Sequence, residues 1–289
     1  MTHDAPAVRA RVFLMGCSRS GTTVLQRCLA AHSYAHSFPE TGFFRQLGGN
    51  RTWAALASMG ITRGKAVRKA FARLATVVPD LPAAAPETGP YSRSGSAIVQ
   101  FVQLMDTHVT GLGKQVWIEK TPKHYQYARI IRRYIPEAFL IHVVRSGRDV
   151  TASIRDRAIR HPERFQGQYD PGYGVREWNR AVRMAWSQRN ERRVRTVLYD
   201  ELVSAPEQTL RELCNWIRIP FEEEMLTGGD TTMISHAHEA WKQSAGAPIQ
   251  PQQTKFTSVF SDSEQRWVDT HLDWATYARL KEAASQSST

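Results

Sequence analysis

Apolar residues in this chain gather into short runs, separated by stretches with a helical period. Val12–Met15, Gln115–Ile118, Phe139–Val144 and Thr196–Tyr199 are such runs. Four to six residues without polar alternation predict strands buried on both faces of a parallel sheet. Between them Tyr127, Ile130, Ile131 and Tyr134 recur at i, i+3, i+4 and i+7, with Arg129, Arg132 and Arg133 on the opposite side, the mark of an amphipathic helix. Leu210, Leu213, Cys214 and Ile217 repeat the pattern. Ser204-Ala-Pro-Glu207 has the spacing of a capping box with proline in the first turn, and Ser261-Asp-Ser-Glu264 predicts the start of a final helix ending near Leu280. Residues 45–112 are predicted mainly helical, with a Pro-, Ala- and Gly-rich interruption at Val78–Ser96.

Strands alternating with helices predict an α/β fold: a central parallel sheet flanked by helices. A single domain is expected over 1–289, with its core in 11–220. Residues 41–112 and 221–260 are expected to form substrate or lid regions, and Ala283–Thr289 a disordered tail. Sheets of this kind bind ligands at the carboxyl ends of their strands. The loops after Met15, Ile118 and Val144 are therefore the expected walls of a site.

The first of those loops carries the strongest local signal. Val12-Phe-Leu-Met-Gly16-Cys-Ser-Arg-Ser-Gly21-Thr-Thr-Val-Leu-Gln26 is strand, glycine-bounded loop and helix start. Such a P-loop-like turn aims backbone N–H groups and a positive helix end at one point, where a phosphate can sit. Gly16, Gly21 and Thr23 match a nucleotide-triphosphate loop, but Thr22 stands where its lysine belongs. The nearest cation is Arg19. An anionic, nucleotide-like ligand is expected, and ordinary NTP hydrolysis is disfavoured.

A second convergence lies in Phe139-Leu-Ile-His-Val-Val-Arg145-Ser-Gly-Arg-Asp-Val-Thr-Ala-Ser153. Arg145 ends a strand and Ser153 lies about two turns into the next helix, an arrangement that can hold a second phosphate. Taken alone, a strand-ending arginine is more often a surface ion pair. Lys120 closes another strand in Trp117-Ile-Glu-Lys-Thr-Pro122, and Glu40 follows the first helix in Phe38-Pro-Glu40. Glutamate at a sheet edge can serve as general base or as a plain turn residue.

In this order the motifs resemble the sulfotransferase family that uses 3′-phosphoadenosine-5′-phosphosulfate (PAPS), nearest its tyrosylprotein and glycan branch and its many bacterial members. The resemblance spans roughly residues 11–220. It implies that Arg19, Ser20, Gly21, Thr22 and Thr23 hold the 5′-phosphosulfate. Arg145 and Ser153 would grip the 3′-phosphate, and Lys120 would meet the sulfate during transfer. Glu40 falls at the tyrosylprotein branch's catalytic glutamate, Tyr199 at a tyrosine near the nucleotide, and Thr254-Lys255-Phe256 at a late basic loop. That loop lacks the expected glycine-rich, tryptophan-containing pattern. The cytosolic branch uses a histidine shortly after its lysine, which keeps His124 open as a competing base. The implied product is adenosine 3′,5′-bisphosphate (PAP), with no metal required.

Composition narrows the partners. The chain is 42% apolar and 22% charged with a net charge of +11, which suits an anionic ligand without choosing one. Arginines cluster at 145–164 and again at 176–195; the second cluster reads equally as a solvated helix face. No helix-turn-helix, zinc-finger or RNA-binding pattern is present, so nucleic acid is not expected. Cys17, Cys28 and Cys214 are too scattered for a disulfide framework or metal motif. No run reaches the roughly 18 apolar residues of a membrane span, residues 1–10 carry no secretory pattern, and the expected location is the cytoplasm. An arginine- and alanine-rich, lysine-poor composition looks bacterial. It favours a small-molecule, saccharide or glycolipid acceptor. Trp178, Trp186 and Trp241 fit a core more readily than an acceptor pocket. The alternatives are a magnesium-dependent P-loop kinase or NTPase, and a non-catalytic anion binder.

Overall fold

The computed structural model describes residues 7–228 and 255–286. Five parallel strands form the central sheet: β1 (Ala10–Gly16), β2 (Ala35–Phe38), β5 (Val116–Lys120), β6 (Phe139–Val144) and β7 (Val194–Leu198), in the order β2-β5-β1-β6-β7. A small antiparallel pair, β3 (Ile61–Arg63) with β4 (Tyr91–Arg93), stands apart from it. The expected α/β architecture, a parallel sheet flanked by helices, is the one the chain adopts.

The apolar runs explain why. Along β1 and β6, Phe13, Met15, Leu140 and Val144 face one hydrophobic cluster, while Val12, Leu14, Ile141 and Val143 face another. Both faces are covered, so neither needs polar alternation. The segment 43–111 joins the first cluster through Phe43, Phe44, Phe71, Ile98 and Phe101, packed with Phe13 and Trp117 of the sheet. Trp178 is buried in the same cluster and Trp186 packs against it. Trp241 lies outside the described residues.

Several boundaries move. β2 carries His36 and Ser37, and this polar content hid a strand from the sequence pattern. β5 extends to Lys120, and the last strand starts at Val194 and stops at Leu198, leaving Tyr199 to open a helix. The capping box at Ser204 does not form. Ser204 ends the helix Tyr199–Ser204, and the following helix Pro206–Ile217 is capped at Ala205 without a side-chain bond. The box at Ser261 does form. The final helix divides into Asp262–His271 and Trp274–Gln286, so residues 283–286, expected in a disordered tail, are helical.

Candidate active site

The glycine loop is shaped by close approaches that exclude a side chain. A Cβ on Gly16 would lie 2.4 Å from the Val143 carbonyl oxygen. Gly21, at φ 95°, would drive a Cβ to 2.2 Å from the Tyr199 ring, and only glycine takes that backbone cheaply. The turn is closed by the Ser20 N–H and hydroxyl, which donate to the Cys17 carbonyl at 3.1 and 2.7 Å. Gly21 caps the helix Thr22–Ala30 with no side-chain acceptor, which leaves the first-turn N–H groups of Thr22 and Thr23 for a ligand. Burial pushes the Cys17 thiol up, and the residue fills the turn.

The helix Gly147–Arg160 supplies the facing wall. Arg19 Nε donates to Ser153 Oγ at 2.9 Å, and Arg157 Nη1 donates to Ser18 Oγ at 3.2 Å. Burial lowers Arg19 to about 10, with Arg157, Arg160 and Arg145 pushing the same way and Asp156 opposing them. Arg145 is 7% exposed and its guanidinium lies 4.4 Å from the Tyr199 ring centroid. Its Nε stands 3.5 Å from Asp149 Oδ2, within ion-pair range but without a hydrogen bond. Trp178 Nε1 donates to the Arg145 carbonyl at 2.9 Å and fixes the strand end. Lys255 Nζ lies 2.7 Å from Asp156 Oδ2 on the same helix; Thr254 lies outside the described residues. Arg145, Arg157 and Arg160 thus act on Arg19 in the loop, Arg160 while paired with Asp156, and the buried Nε atoms of Arg145 and Arg157 lack a hydrogen-bond acceptor. A phosphate or sulfate group supplies both counter-charge and acceptors, so the residues fit an anionic ligand.

Arg157 had no assigned role in the sequence. Its signal was its place one turn beyond Ser153 on the same helix face.

Across the loop, sheet register brings two more groups together. Phe38 of β2 pairs with Glu119 of β5, so Glu40 emerges beside the end of β5. Lys120 Nζ lies 2.5 Å from Glu40 Oε1; the lysine is 1% exposed, the glutamate partly open. His124 is elsewhere. It is fully buried, with Phe44 and Phe13 ring centroids at 5.3 and 6.1 Å, and Nδ1 is 2.8 Å from Glu119 Oε2. The two groups are in close contact, off the line of a hydrogen bond. Burial would raise the Glu119 carboxyl, but His124 and the hydroxyls of Thr121 and Thr41 outweigh it and hold it down.

Among the described residues no group of three His, Cys, Asp or Glu side chains could hold a metal ion, and no helix is long and apolar enough to cross a membrane.

Comparison with known proteins identifies a family and a fold. The model of the sulfotransferase family matches residues 11–223. Among solved structures, the chain resembles the sulfotransferase domain of the Synechococcus PCC 7002 olefin synthase at 18% identity and TM-score 0.55, covering 93% of this chain and 96% of that one. It resembles the sulfotransferase domain of the curacin biosynthetic pathway at 21% identity and TM-score 0.51, with 98% of each chain covered. Mouse sulfotransferase SULT7A1, crystallised with PAP, matches at 12% identity and TM-score 0.53, covering 96% of this chain and 90% of that one. At these identities the likeness is one of fold. No curated protein matches the sequence.

Proposed function

The chain belongs to the sulfotransferase family, and from that premise we propose that it transfers the sulfuryl group of PAPS to a hydroxyl of a small-molecule, saccharide or glycolipid acceptor, with Glu40 as general base. The observation that carries this reading is the Lys120–Glu40 contact at the sheet's carboxyl edge, with Glu40 close enough to act on Arg157, which itself bonds Ser18 of the loop. PAPS supplies an activated sulfuryl group whose leaving group is a phosphate, and its second phosphate lies on the ribose. The loop 16–23 and Arg19 are assigned to the phosphosulfate, Arg145 and Ser153 to the 3′-phosphate. Tyr199 braces Arg145 through its ring face, and Lys255 reaches this side of the site through Asp156.

During in-line transfer, charge builds on the sulfuryl oxygens and on the leaving phosphate. Lys120, Arg19 and the N–H groups of the helix Thr22–Ala30 are fixed donors aimed at that charge, and they favour the transition state over the bound ground state. Glu40, joined to Lys120 and partly open, is placed to take the acceptor's proton. His124 is walled in by Phe13 and Phe44 and engaged by Glu119, which weighs for Glu40 over the histidine. Thr22, in place of the lysine that engages a triphosphate, weighs against a kinase.

The test is PAPS turnover, followed as PAP release with water and with a panel of alcohols as acceptors. Glu40→Gln is expected to lower kcat about a hundredfold or more while leaving PAP affinity within about twofold. A Glu40→Gln enzyme as fast as the parent would return the base role to His124 or to water. Lys120→Ala is expected to reduce kcat more than it raises the KM for PAPS; the reverse would make Lys120 a binding residue only.

A further inference from the structure

The polar network beneath the Glu40–Lys120 pair has its own logic. Glu119 is fully buried, immediately before Lys120 on β5. Its Oε1 accepts three hydrogen bonds: from the Thr41 N–H at 3.1 Å, the Thr41 hydroxyl at 2.7 Å and the Thr121 hydroxyl at 2.7 Å. Thr41 follows Glu40, and Thr121 follows Lys120. The Thr121 oxygen also accepts from the Gly42 N–H at 3.1 Å. From the other side Arg73 donates to the Thr41 and Glu40 carbonyls at 2.7 and 3.1 Å. Every tie converges on the two short segments that present Glu40 and Lys120.

A buried carboxylate is costly to keep ionised unless its oxygens are satisfied. Here the cost is offset by the three donors on Oε1 and by His124 against Oε2. A hydrophobic side chain would hold β5 in the core equally well. It could not bind the Thr41 amide and both hydroxyls at one point.

We propose that Glu119 is a positioning residue whose buried carboxylate clamps Thr41 to Thr121, thereby setting the separation of Glu40 and Lys120, with His124 supporting it from the core side. The inference rests on the reading of Glu40 as the base. His124 thereby has a task that needs burial and no contact with the acceptor. Displacing a reacting group by about 1 Å costs rate on the order of a hundredfold, so a loosened clamp acts on turnover before it acts on nucleotide binding.

Removing Glu119 itself endangers folding, so Thr121 is the site to change. Thr121→Val keeps the shape and deletes the hydroxyl that joins Glu119 to Gly42; Thr121→Ser restores it. PAPS turnover with water as acceptor is measured alongside calorimetric PAP affinity. The expected result is a loss of kcat of about tenfold or more in Thr121→Val, PAP affinity within about twofold of the parent, and recovery in Thr121→Ser. Equal losses of turnover and affinity, a Thr121→Val enzyme near parental rate, or a serine variant as slow as the valine one would each overturn the positioning role. Glu40→Gln run in parallel separates the two claims. If it turns over like the parent, the base assignment has failed. If it is slow while Thr121→Val is not, only the clamp has failed.

Discussion

At Arg145 the sheet delivers a guanidinium into a nearly closed site, stacked on Tyr199, with Nε lacking an acceptor. Charge-assisted hydrogen bonds of this kind contribute about 1.5–3 kcal/mol each. Arg145→Ala is therefore expected to weaken PAP about tenfold to a hundredfold and AMP much less; equal weakening of both would remove Arg145 from the 3′-phosphate. A second residue-scale consequence concerns acid stability. His142 sits inside β6, and burial lowers it from 6.5 to about 4 despite its contact with Gln188 at 3.1 Å. His36 is likewise lowered to about 4, by burial first and then by His108 and Lys114. Between pH 6.5 and 4 the unfolded chain binds protons that the folded chain refuses, so stability falls as pH falls. For fully buried His142 the slope is about 1.4 kcal/mol per pH unit. Denaturant titrations at pH 7 and pH 5 would reveal it, and equal stability at both would contradict the buried neutral state.

Elements place these residues, and the strands with the most uniform composition were the easiest to find. β1 announces itself as an apolar run and β6 as one interrupted only by His142, and the Gly16–Gly21 spacing names the loop between β1 and its helix. The clash of a Gly21 Cβ with Tyr199, at φ 95°, makes the loop intolerant. Gly21→Ala is expected to cost about 1–3 kcal/mol of local strain and to depress PAP binding while circular dichroism keeps the sheet. Unchanged binding would show that the loop can open without consequence. β2 was illegible because an edge strand with His36 and Ser37 lacks the buried signature. Yet its register against β5 is what carries Glu40 to Lys120. The contacts of Arg19 with Ser153 and of Arg157 with Ser18 span more than a hundred positions of sequence, and no local period encodes them. The interior placement of His124 was hidden for the same reason, since Phe44, which closes over it, comes from a distant helix. The two candidate capping boxes diverge at Ser204, where a preceding helical turn already uses the residue.

Across the whole molecule the +11 charge resolves into two populations. In the later arginine cluster, Arg180 pairs with Glu177, Arg183 with Asp273 and Arg195 with Glu212, so much of it is tied to the fold. In the earlier cluster Arg148 and Arg155 are paired with Asp269 and Glu264, while Arg145, Arg157 and Arg160 act on Arg19 of the glycine loop, with Asp156 opposing them. This concentration predicts that PAP binding weakens as salt rises from about 50 to 500 mM, since screening tightens over that range. Salt-independent affinity would mean that the convergent charge is not used. The most direct test of PAPS use is calorimetric titration of PAP into the protein in EDTA, with AMP and ADP as controls. Binding is expected to require the 3′-phosphate and to proceed without metal. Failure to bind PAP, or preference for a magnesium nucleotide, would contradict PAPS use and reopen the kinase reading.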